Sequence, residues 1–193
     1  PASGALMIAV FFTASAGAVV SALQANPILA AAMALLALLI LPGFMIIQPN
    51  SARVLVLFGV YKGTIKQNGF FWVNPLMLKN ELSLRARNLN GQSLKVNDKL
   101  GNPIEIAAVI VWQIEDTAKA VFEVNDYNAY VSIQSEAAVR HLAGSCPYDN
   151  FEDEGADVTL RGSSEKVVLM LEDELNERLN RAGIRVTEAR ISH

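Results

Sequence analysis

Two histidines, one cysteine and a run of carboxylates are the side chains of this 193-residue sequence best suited to chemistry. His141 and Cys146 lie five positions apart, close enough in sequence to pair an imidazole with a thiol as a nucleophile. No strand–turn–helix elbow surrounds them, and a lone cysteine is far more often a buried packing residue than a reactive one. His193 is the last residue, after the final expected strand, so neither histidine has a second imidazole near it and a histidine-based metal site lacks ligands. The carboxylates Asp149, Glu152, Asp153, Glu154 and Asp157 do not follow the alternating oxygen spacing of a calcium loop. They read as a solvated loop that caps the following helix. Glycine-rich phosphate loops, serine elbows and paired-carboxylate patterns do not occur. The expectation is a protein with no catalytic residues, no cofactor and no metal.

The elements around these residues fall into two parts. Residues 1–52 contain no Asp, Glu, Lys or Arg, so all 16 cations and 19 anions lie beyond them, at the density of an ordinary soluble domain. A net charge of −3 leaves no positive field to collect phosphates, which excludes a basic nucleic-acid binder. Two apolar runs, residues 5–23 and 28–47, are each about 30 Å long as helices, enough to cross a bilayer core. The polar turn Gln24-Ala25-Asn26-Pro27 between them predicts an antiparallel hairpin, with Asn26 and Pro27 at the reversal. Ala14, Ala18, Ala22, Ala30 and Ala34 either let the two helices approach closely or are simply common membrane-helix residues. Pro42-Gly43 breaks the second run, so two readings stand: two full spans, or a re-entrant hairpin. A cleaved signal peptide fits poorly, because no cation precedes Arg53 and a second run follows directly. Arg53, Lys62, Lys66 and Lys79 after the second run favour a cytoplasmic domain. The alanine-rich leader points loosely to a bacterial inner membrane.

Within the soluble part, Val54, Val56 and Phe58 against Leu55 and Leu57 predict a strand buried on both faces. Residues 61–65 read as a turn leading into a second strand, residues 81–89 as a half-exposed strand and residues 93–96 as a short one. Ile104 to Ile114 keep strict period two, and the alternate positions Ala107, Val109 and Val111 are apolar too. That strand is therefore expected to be covered on both faces, by helices or by a neighbouring subunit, which makes those three a candidate oligomer or packing face. Helices are expected at 116–124, 126–142 (closed by Gly144) and 158–182, the last with a stripe of Val168, Leu171, Leu175 and Leu179 and a cap at Gly183. A strand at 184–191 follows. Strands first and helices later make an α+β domain, a mostly antiparallel sheet followed by helices. Phe70-Phe71-Trp72-Val73-Asn74-Pro75 reads as an aromatic loop beside the anchor; Phe70, Phe71, Trp72, Val73 and Pro75 either fill the core or contact the membrane. On the membrane reading, Trp72→Ala weakens association of the anchor-free domain with liposomes.

These segments together resemble a family. The apolar anchor is followed by Gln48-Pro49-Asn50, the strand from Ala52 to Gly59, Gly63-Thr64-Ile65 and Gly69-Phe70-Phe71-Trp72-Val73-Asn74-Pro75. Then come residues 98–106, Val109-Ile110-Val111-Trp112-Gln113-Ile114, Leu175-Asn176-Glu177 and residues 183–191. In order and spacing, residues 48–193 are similar to the SPFH (band 7) superfamily of stomatins, prohibitins, flotillins and the bacterial HflK/HflC proteins. The resemblance implies a membrane hairpin (residues 1–47), an SPFH domain (48–193) and a downstream helical region outside this sequence. It also implies a non-enzymatic, membrane-anchored scaffold that assembles with itself or a paralogue into large rings or cages. Such assemblies organise membrane lipids and regulate enclosed proteins, membrane proteases among them. A dedicated regulatory subunit of one membrane protease or transporter is the alternative.

Overall fold

The computed structural model describes residues 2–24, 26–149, 158–161 and 164–192. It forms two compact units, Pro1–Ser83 and Leu84–His193.

The first unit contains the hairpin. Strand β1 (Ala2–Ser3) leads into α1 (Gly4–Leu23), a charge-free helix of 20 residues. Two of its hydroxyls bond within the helix, Thr13 to the Val10 carbonyl and Ser15 to that of Phe11. Helix α2 (Pro27–Ile40) starts with proline, whose missing N–H is no loss there, and the Asn26 carboxamide accepts from the Leu29 amide. The two helices pack with Ala14, Ser21, Ala37 and Ile40 buried, and Gly17 admits the Met33 side chain. Of the small residues expected at the contact, Ala14 is buried, Ala18 and Ala30 are half-buried, and Ala22 and Ala34 are exposed.

The second apolar run is not one 20-residue helix. Helix α2 stops at Ile40 after 14 residues, about 21 Å at the helical rise. Pro42 cannot continue the hydrogen-bond ladder, so Leu41–Gly43 forms a single tight turn and the chain becomes extended as β2 (Phe44–Ile47). Strands β3 (Ser51–Leu57), β4 (Val60–Ile65), β5 (Gly69–Trp72) and β6 (Leu78–Ser83) complete the unit. They make two three-stranded sheets, ordered β1-β5-β2 and β4-β3-β6. Met45, Ile47, Leu55, Ile65 and Val73 form the core between them, with Phe71 and Met77 packed against it.

Strand β3 is buried on both faces over Val54, Leu55 and Val56, as its sequence predicts, but Phe58 lies outside it and is exposed. The 81–89 segment is not a continuous strand: β6 ends at Ser83 and β7 (Arg87–Asn90) begins a new sheet in the second unit.

In the second unit β9 (Pro103–Ile114) is the central strand, pairing with β7, β8 (Leu94–Asn97) and β10 (Ile184–Ser192), all antiparallel. Helices α3 (Thr117–Phe122), α4 (Tyr127–Ser145) and α5 (Ser164–Leu179) accompany them. Asp116 and Asp126 cap α3 and α4 by accepting the first free amides. Helix α4 runs past Gly144 to Ser145. Helix α5 is shorter than the expected 158–182, since residues 158–161 are not helical, and its buried stripe begins at Val167 instead of Val168. Arg87 lies 5.5 Å from the Trp112 ring and 5.3 Å from that of Tyr127, and donates to Asn128, tying β7 to the start of α4.

The outer edge of β10 is closed by side chains of α5. Glu172 accepts from the Ala189 amide at 2.9 Å and Asn176 accepts from the Val186 amide at 2.8 Å. One helical turn separates the two, so one face of α5 reaches both amides while Leu171 and Leu175 fill the core. Glu172→Ala is expected to cost about 1–2 kcal/mol, the usual penalty for an orphaned buried amide. Hydrogen exchange over β10 should accelerate at Ala189 more than at β9 residues on the opposite side.

Candidate membrane interface

The aromatic segment is a strand, not a loop. In β5, Phe70 and Trp72 share one face with Ile46 and Phe44 of β2, their register partners, while Phe71 and Met45 share the other. The Phe71 face turns to the core, where Val73 is also buried. The Phe70 face turns to the open end of the hairpin. Phe44 and Phe70 stack with ring centres 5.5 Å apart, and Gly4 of α1 sits against the Phe70 ring, where a Cβ would overlap it. The Trp72 indole donates to the Ile40 carbonyl at 2.9 Å, taking up one of the groups that α2 leaves unpaired at its end. Gly43 lets this happen: a Cβ there would overlap the indole and lie 2.7 Å from the Val73 carbonyl. Pro42-Gly43 is thus both the helix stop and the seat of Trp72. Pro75 is half-buried in the turn before β6.

Trp72→Ala in the full chain is expected to lower stability by about 2–3 kcal/mol through lost indole packing. Trp72→Phe should cost about 1 kcal/mol, the hydrogen bond alone. Calorimetry in detergent micelles separates the two.

Lys79 reaches the same junction, its ammonium donating to the Pro42 carbonyl. Burial, and secondarily the charge of Arg53, push its pKa below the ordinary lysine value. Arg53 is paired with Glu81 at 2.7 Å. The charge-free helix α1 exposes large apolar side chains, with Leu6, Phe12, Val19 and Leu23 all above 60%. Such a surface is the mark of a segment meant for lipid or a partner. By length and composition α1 can cross a membrane, whereas α2 is shorter than a bilayer core of about 30 Å.

Residues 45–193, more than three quarters of the sequence, match the family described as SPFH domain / Band 7 family. The chain belongs to the SPFH (band 7) family. No curated protein matches it. The family is one of membrane-associated scaffolds, generally without enzymatic activity. An apolar helix preceding an SPFH domain of antiparallel sheet and helices is the arrangement the sequence implied.

The groups with chemical potential sit in the second unit of this SPFH protein. Cys146 is buried, and burial raises its thiol pKa despite the nearby Lys99, which favours the protonated thiol. His141 Nδ1 lies 3.0 Å from the Glu174 carboxylate, which also binds Arg178 at 2.7 Å. His141 therefore ties α4 to α5. Asp149 pairs with Arg161 at 3.0 Å; Glu152, Asp153, Glu154, Asp157 and His193 lie outside the described residues. A cavity of about 110 Å³ between α4 and the sheet is lined by Ala108, Ile110, Ser132, Ser135 and Val139, among others.

On β9, Ile106, Ala108, Ile110, Trp112 and Ile114 are buried, whereas Ala107 and Val111 are half-buried and Val109 is 38% exposed. The second apolar face is thus only partly covered among the described residues. Sequence reasoning took Lys79 only as a flanking cation and Phe58 as a buried strand residue, and foresaw neither the bond from Lys79 to the Pro42 carbonyl nor the turn at Phe58. Gly59 was the one turn signal there, and Phe58-Gly59 is not among the usual two-residue hairpin pairs.

Proposed function

We propose that this SPFH protein is a membrane-anchored scaffold whose copies assemble into a large ring or cage, organising a membrane microdomain and regulating membrane proteins enclosed in it. The observation that carries this reading is the charge-free helix α1, with its large exposed apolar side chains, built into the same compact unit as the start of the SPFH region, through β1, β2 and β5. Many such anchors held side by side gain avidity from individually weak membrane contacts, so the assembly stays bound while confining lipids and client proteins. Ala107, Val109 and Val111 are the proposed contact between copies, because they form an apolar sheet face on which Val109 is exposed and the other two are only half-buried among the described residues. The proposed site is the cytoplasmic face of a bacterial inner membrane, supported by the cations that follow the hairpin and, loosely, by the alanine-rich leader. Membrane lipids, further copies or a paralogue, and a membrane protease are the proposed partners.

The test is the particle mass of the full-length protein after gentle extraction from its native membrane. A closed assembly of many subunits that Val109→Asp breaks into smaller species supports the scaffold. A monomer, or a small complex with one client, overturns it in favour of a dedicated regulatory subunit of a single protease or transporter.

A further inference from the structure

The turn joining β3 to β4 combines features that cost stability without serving the fold. Leu57 pairs directly with Val60, so Phe58 and Gly59 form a two-residue hairpin loop. Both have positive φ, 49° and 80°, the left-handed pair for which Asn-Gly is the usual choice. A phenylalanine there is strained, and a bulky residue at positive φ is a functional hint. Its ring gains no packing in return, being 81% exposed, and a Cβ on Gly59 would meet nothing within 4 Å. Val60 and Leu78 beside the tip are more than half exposed as well, and Tyr61 is 44% exposed.

The direction of β3 fixes where this tip lies. The Ser51 amide donates to Gln48 at 3.2 Å, and Asn50 has φ 56°, so the chain reverses between β2 and β3. Strand β3 then runs back towards the hairpin: Leu55 shares a core cluster with Met45, and Lys79, the register partner of Leu55, bonds to the Pro42 carbonyl. Phe58 is three residues further on, about 10 Å beyond that level at the strand rise. The tip is therefore at the end of the unit where α2 meets β2. Charge agrees: within Pro1–Ser83 four cations, Arg53, Lys62, Lys66 and Lys79, face one carboxylate, Glu81.

We propose that the β3–β4 tip, led by Phe58 with Val60 and Tyr61, inserts into the headgroup layer of the leaflet that holds the α1–α2 hairpin, with Lys62 set against anionic lipid. This rests on the membrane anchoring proposed above. Insertion turns an exposed apolar penalty into a gain, and anionic headgroups add to it through the basic residues of the unit.

The test uses the full chain with single cysteines at Phe58, at Phe12 of α1 and at the exposed Lys95, each carrying a nitroxide; buried Cys146 stays unlabelled. The protein is reconstituted into vesicles of phosphatidylcholine alone, or with one third phosphatidylglycerol, and collision with oxygen is compared with collision with a water-soluble nickel chelate. The expected result is an oxygen-to-nickel ratio several-fold higher at position 58 than at 95. It should be greater with phosphatidylglycerol and reduced by Lys62→Glu. A Val60→Cys label should report the same depth. A label in water at 58 with a label in lipid at 12 overturns the tip contact. Lipid at 58 with water at 12 upholds the tip and overturns anchoring by α1. A label at 58 shielded from both reagents overturns the proposal in favour of a protein partner.

Discussion

Gly183→Val is expected to lower the unfolding free energy of the Leu84–His193 unit by about 3 kcal/mol, combining left-handed strain with overpacking. Gly183 ends the tight turn after α5 at φ 64°, ψ 30°. A Cβ there would overlap the Asp116 carbonyl and lie 2.9 Å from the Cβ atoms of Asp116 and Lys119. The backbone cannot shift to relieve this, because the Gly183 carbonyl accepts from the Glu115 amide at 2.9 Å and the Asp116 amide at 3.0 Å. Two causes are separable. Gly183→Asn tolerates the dihedral angle but not the close approach, so it should fall near Gly183→Ala in a calorimetric melt. An asparagine variant indistinguishable from wild type would mean that dihedral strain alone sets the requirement.

Asp98→Ala is expected to cost about 3 kcal/mol, because charged hydrogen bonds are lost and their donors are left unpaired. Asp98 is 5% exposed. Its carboxylate accepts from the amides of Leu100 at 2.9 Å, Asn102 at 2.7 Å and Tyr148 at 3.0 Å. It closes the loop before β9 and fastens it to the segment after α4. Burial alone would raise its pKa, but the bonds from Tyr148, Asn102 and Leu100 together outweigh that and hold the carboxyl below its ordinary value. The folded form therefore binds its proton later than the unfolded chain. The contribution is complete above the ordinary carboxylate range, about pH 4, and is lost as pH falls through the lower folded value. Urea titrations of wild type and Asp98→Asn from pH 7 to pH 3 should show the gap between them narrowing at the acid end. A constant gap would show that Asp98 contributes no proton-linked stability.

Much of the architecture is legible in single stretches of sequence. Ile104 to Ile114 announce β9 because side chains alternate on a strand and one face must be apolar. Asp116 and Asp126 announce helix starts, and Gly183 a helix end, because caps depend on one or two residues. The interface residues were less legible. Phe70 to Trp72 share composition with either a core strand or a membrane loop, and only pairing with β2 assigns Phe71 to the core and Trp72 to the Ile40 carbonyl. Phe58 continues the alternation of β3, so its sequence reads as buried; the hairpin reversal at 58–59 puts it outside.

By itself the sequence determined the charge-free apolar leader, the stop at Pro42-Gly43, the α+β order and the family, since hydropathy, proline geometry and strand period act over a few residues. Tertiary structure decided the bond from the Trp72 indole to the Ile40 carbonyl, the closing of β10 by Glu172 and Asn176, and the role of Asp98, which meets Tyr148 fifty positions away. Each of these is a hydrogen bond between groups that local patterning does not relate. A buried donor or acceptor must find a partner wherever the fold brings one, and only the packed chain shows which partner that is.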